Sequence, residues 1–168
     1  MRQLFLGCLA LHVLAGLTAV FSGALAASAR KRPGRHPKAG RVYLWAITAV
    51  FVTATVMAMI RWREDWHLFV IAVVAGGLAL WGWRSRLRAG RGTVRWHAIG
   101  MGGSYIALLT GFYVDNGPQI PLWDRLPHWM YWVLPAAIGI PLISLALRRF
   151  RSGVSTRPRS TASAAEKL

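Results

Sequence analysis

The chain is predicted to be an all-α, polytopic transmembrane bundle of five helices, N-terminus outside and C-terminus cytoplasmic, and three patterns predict it. Hydrophobic residues make up 55% of the 168 positions and fall in long unbroken blocks, more apolar surface than a soluble core of this size can hide. Lysine and arginine crowd every second connection between the blocks. Tryptophans mark the block ends. A bilayer offers no hydrogen bonds to bare backbone, so such blocks cross as helices and not as open strands.

About 20 helical residues cross a hydrocarbon layer of roughly 30 Å. Five blocks approach or exceed that length: Leu4 to Ala27, Val42 to Ile60, Trp66 to Trp83, Trp96 to Val114 and Trp129 to Leu147. Met1-Arg2-Gln3, the first apolar run and Ala24-Leu25-Ala26 also resemble a cleavable signal peptide. Cleavage would export the six cations that follow, and the run is long for that role, so the first helix is expected to remain uncleaved. Ala15, Ala19, Gly23 and Ala27 on helix one, and Gly100, Ser104, Ala107 and Gly111 on helix four, form small-residue faces that let backbones approach closely. Pro135 and Pro141 predict a bend in helix five. Three prolines and Asn116-Gly117 make the connection from Asp115 to Pro127 a stiff outer cap. Residues 151–168, rich in Ser, Thr, Ala and Arg without apolar periodicity, are expected to form a disordered basic cytoplasmic tail.

A net charge of +16 would suggest nucleic acid in a soluble domain, but its placement excludes that partner. Of the 21 basic residues, 17 follow helices one, three and five, whereas Glu64, Asp65, Asp115 and Asp124 all lie on the other side. This is the positive-inside pattern of a multi-pass protein of a bacterial inner membrane, with the basic loops lying against anionic lipid headgroups. Tryptophan placement agrees independently: Trp45, Trp81, Trp83 and Trp96 flank the cytoplasmic ends, and Trp62, Trp66, Trp123, Trp129 and Trp132 the outer ends.

No hydrolase triad, Walker loop, zinc-ligand cluster or dinucleotide fingerprint is present in the sequence. Cys8 is the only cysteine, so no intramolecular disulfide can form. Titratable groups at membrane depth are the remaining candidates, because their placement there is costly. His12 lies within helix one, His36 caps helix two beside Pro37, His67 opens helix three, His97 opens helix four and His128 opens helix five. Histidine also sits comfortably at helix ends, so packing is the competing role for all but His12. On the outer side, Glu64, Asp65, His67, Asp115, Asp124 and His128 are a second set that would bind a divalent cation or relay protons if the fold brought them together.

In chain order, helices one to four bring one histidine each at alternating levels: outer, inner, outer, inner. This resembles the transmembrane di-haem b-type cytochromes, in which alternate helices ligate one haem near each face. The resemblance implies an outer haem b held by His12 and His67 and an inner one held by His36 and His97. Separately, His36-Pro37-Lys38-Ala39-Gly40-Arg41-Val42-Tyr43, Trp96-His97 with Tyr105, and Phe112-Tyr113-Val114-Asp115-Asn116-Gly117-Pro118 resemble a bacterial family of small membrane proteins catalogued as a domain of unknown function. That resemblance covers most of residues 1 to 147; it implies a polytopic helical protein and brings no activity. The expected function is therefore a b-type haem-binding transmembrane electron carrier. The alternative is a small transporter, for which proline-interrupted helix five would line the path, or an assembly or structural subunit acting as a homo-oligomer or with a membrane partner.

Overall fold

The computed structural model describes residues 2–29, 34–88, 92–121 and 123–155, with side chains as far as Arg148. Five helices account for nearly all of them: α1 (Arg2–Ser28), α2 (Arg35–Ile60), α3 (Trp62–Leu87), α4 (Thr93–Asn116) and α5 (Trp129–Ser155), with one 3₁₀ turn at Gly117–Gln119. No strand occurs among the described residues. Helices α1 to α4 form an antiparallel ring in which each packs on the next and α4 returns to α1, leaving α2 and α4 on a diagonal; α5 lies outside, against α4.

The boundaries follow from local chemistry. Gly34 and Gly92 precede α2 and α4 with φ of 125° and 98°, a region where a side chain would be strained. Helix α2 begins at Arg35, earlier than the apolar block, because Pro37 falls in the first turn, where its missing N–H is not needed. Only Arg61 separates α2 from α3. The stretch Arg63-Glu64-Asp65 is therefore not a loop but the first turn of α3, where the two acids meet the positive end of the helix dipole and Glu64 pairs with Arg61. Helix α5 runs without interruption through both prolines and on to Ser155, taking in the first residues of the expected tail; residues 156–168 lie outside the described residues.

Burial is inverted relative to a water-soluble bundle. The core consists of small residues, Ala15, Ala19, Ala46, Ala75 and Ala79, around Tyr43, Ile47 and Val50. Large apolar side chains point outward, among them Leu14, Phe21, Trp45, Met59 and Ile140. This is the arrangement expected where the surrounding solvent is hydrocarbon and helices associate through close backbone approach. Four helices, α1, α2, α3 and α5, are long and apolar enough to cross a membrane. Helix α4, 24 residues long, falls outside that set; its first half carries Trp96, His97, Gly100, Gly102, Gly103 and Ser104. Its small residues serve packing: a Cβ on Gly100 would stand 2.6 Å from Gly82 Cα, so α3 and α4 touch backbone to backbone. These contacts make the chain an all-helical membrane bundle.

Candidate functional site

The four histidines singled out by their depth have different surroundings. His36 and His97 come together: their rings stand edge to face, with centroids 6.3 Å apart and planes at 80°. Each is held from behind by a backbone carbonyl, His36 Nδ1 donating to Ala26 O (2.8 Å) and His97 Nδ1 to Gly82 O (2.9 Å). A carbonyl can only accept, so Nδ1 carries the proton in both rings and the neutral form has its lone pair on Nε2. His36 also serves α1, donating to its last-turn carbonyl at Ala26.

The outer pair is arranged otherwise. His12 Nδ1 is hydrogen-bonded to Thr53 Oγ1 of α2 at 2.9 Å. The Thr53 hydroxyl points its single proton toward the carbonyls of Ala49 and Val50, 2.8 and 3.1 Å away, so it accepts from His12. His67 packs between aromatic rings, with centroids 6.0 Å from Trp66 and 6.4 Å from Trp132. Among the described residues, His12 and His67 share no ring contact. His128 lies edge-on to Tyr131.

Of the outer acidic residues, Glu64 pairs with Arg61. Among the described residues, no three His, Cys, Asp or Glu side chains converge where they could hold a metal ion. Donor count therefore separates the cofactors that the inner pair fits. A structural or catalytic zinc needs three or four protein donors. Haem supplies four nitrogens of its own and asks the protein for one or two axial ligands, which is what His36 and His97 offer. The two histidines come from the diagonal helices α2 and α4; the next turn of α2 carries Ala39 and Gly40, while Gly100, the next turn beyond His97, is closed off by Gly82 of α3. A Cβ built on Gly40 would meet nothing within 4 Å.

One group of functional candidates carried no chemical signal in the sequence. Tyr43, 2% exposed, is hydrogen-bonded through its hydroxyl to Ser104 Oγ at 2.7 Å, and Ser104 is fully buried. Beside them, Tyr105 donates to Val20 O of α1 (3.1 Å), and its ring lies 6.2 Å from that of Tyr43. Gly23 makes room for both rings, since a Cβ there would stand 2.6 Å from Tyr105 and 3.0 Å from Tyr43. The signal that could have revealed this group is spacing: Tyr43 follows His36, and Ser104 follows His97, by two helical turns.

Compared with known proteins, the chain matches no family model, no curated protein and no solved structure.

Proposed function

We propose that this protein is a membrane-embedded electron carrier for one b-type haem at its basic end, which His36 and His97 would hold. The spacing of the two rings carries this reading. The observed separation is 6.3 Å. The carbonyl behind each Nδ1 is the support that metal-bound histidines commonly have, fixing ring orientation and tautomer. A haem bound there would supply one-electron chemistry at a fixed depth. The chain's own part is to orient two imidazoles, to exclude water with the packed ends of α1 and α3, and to hold the site near one membrane face.

The positive-inside pattern supports reading that face as cytoplasmic, with the N-terminus outside, in what we read as a bacterial inner membrane. The basic residues flanking the pair, Arg35, Lys38, Arg41, Arg84, Arg88 and Arg95, lie at headgroup level and attract anionic lipid. An edge-to-face imidazole contact gives the same spacing without a metal, and an absorption spectrum separates the two. Protein expressed with ample haem and purified in detergent should show a Soret band that His36→Ala and His97→Ala each abolish or shift. A wild-type spectrum without that band would leave the contact as packing between helix ends, in a structural subunit.

A further inference from the structure

Helices α2 and α4 are joined at two levels by side chains in the same register. Tyr43 and Ser104 are separated by 61 residues, the same interval that divides His36 from His97. Contacts at equal intervals on two helices mean that α2 and α4 run parallel, and seven residues are two turns, about 10.5 Å along the axis. The diagonal is thus spanned first by the two imidazoles and then, two turns deeper, by the Tyr43–Ser104 hydrogen bond.

The lower rung is the more tightly fixed. Ser104 is fully buried, and α4 is locked beside it by the backbone contact of Gly100 with Gly82. The Tyr43 ring sits against Gly23 of α1 and next to Tyr105, whose hydroxyl is tied to Val20 O. Hydrogen bonds between membrane helices fix rotation as well as separation, because the hydroxyl has few other partners at that depth. The upper rung, by contrast, lies at the ends of α2 and α4, where helices fray most readily.

We infer that Tyr43 and Ser104 are positioning residues for the histidine pair: their hydrogen bond sets the separation and rotation of α2 and α4, and thereby the spacing of His36 and His97. The spectroscopic half of this inference rests on the haem reading; the geometric half does not.

The test uses the full chain in detergent, as wild type, Tyr43→Phe and Ser104→Ala. The first measurement needs no haem. Spin labels on Lys38→Cys and Arg95→Cys, in a Cys8→Ser background, report the distance between the basic ends of α2 and α4. Wild type should give one narrow distribution, and both variants a broadened or displaced one with unchanged helical circular dichroism. The second measurement is the spectrum after expression with haem. Both variants should shift the Soret band and retain haem on the order of fivefold less well, the factor for one lost buried hydrogen bond. Label distances identical to wild type in both folded variants would overturn the inference. A wild type that takes up no haem would instead overturn the haem reading and leave the label distances to decide the positioning role.

Discussion

His12 of α1 is hydrogen-bonded to Thr53 of α2 at 2.9 Å, which ties the first helical hairpin together in its outer half. Because the Thr53 hydroxyl already donates to its own helix, His12→Ala removes one hydrogen bond without stranding a donor. The expected loss of unfolding free energy is about 0.5–1 kcal/mol, the usual worth of an interhelical hydrogen bond in a membrane protein. Thr53→Val should cost a similar amount. The double variant should cost no more than either alone, by steric trapping or denaturant unfolding in detergent. Fully additive losses would mean that the two side chains do not interact.

The closest approach of two helices predicts a sharper effect. A Cβ on Gly82 would stand 2.7 Å from the backbone nitrogen of Met101, and one on Gly100 2.6 Å from Gly82 Cα. Neither neighbour is the end of a flexible side chain, so α3 and α4 must separate. Gly100→Ala and Gly82→Ala are each expected to destabilise by roughly 1–3 kcal/mol, as overpacking does. Gly16→Ala and Gly77→Ala, where a Cβ meets nothing within 4 Å, should be neutral or slightly stabilising, since alanine is the better helix former. Thermal melts of the four variants in one detergent check the contrast.

The bundle was legible because its main signals are one-dimensional: apolar length, basic loops and small-residue faces. Gly100 and Ser104 do pack face to face with neighbouring helices, as their spacing required. Boundaries were harder, since Arg63, Glu64 and Asp65 read as a polar loop yet form a favourable first turn of α3. That His36 and His97 lie at one level was legible too, but level does not say how each helix is rotated about its axis. His36 and His97 meet because their helices share a register that Tyr43 and Ser104 also keep. His12 turns to Thr53, a polar partner on the adjacent helix that apolar periodicity does not mark.

Charge asymmetry predicts a labelling pattern. In a Cys8→Ser background, a cysteine placed at Gln119, exposed between α4 and α5, should react with a membrane-impermeant maleimide added to intact cells. A cysteine at Arg88, exposed beyond α3, should react only after the membrane is opened. Ser85 would be a poor reporter despite its position, being 9% exposed with its hydroxyl bonded to Trp81 O. Reaction at residue 88 in intact cells would reverse the orientation and put the His36–His97 pair on the outer side.

The outer cap depends on one phenol. The Tyr131 hydroxyl donates to Trp123 O at 2.6 Å and approaches Leu126 O at 3.4 Å, closing the connection from Gly117 back onto the first turn of α5. Its ring lies over Gly117, where a Cβ would stand 2.6 Å away, while Trp123 stacks on Tyr113 of α4 at 5.0 Å. Tyr131→Phe keeps the ring and removes the hydrogen bond, which should cost about 1 kcal/mol and free a stretch that three prolines and the stacked pair otherwise hold. Gly117→Ala should act more strongly, because the ring itself must move. Both variants should be cut faster between residues 117 and 128 by protease added outside intact cells, with the helices untouched. Equal cutting of wild type and Tyr131→Phe would mean that proline stiffness and the Tyr113–Trp123 stack hold the cap without the phenol.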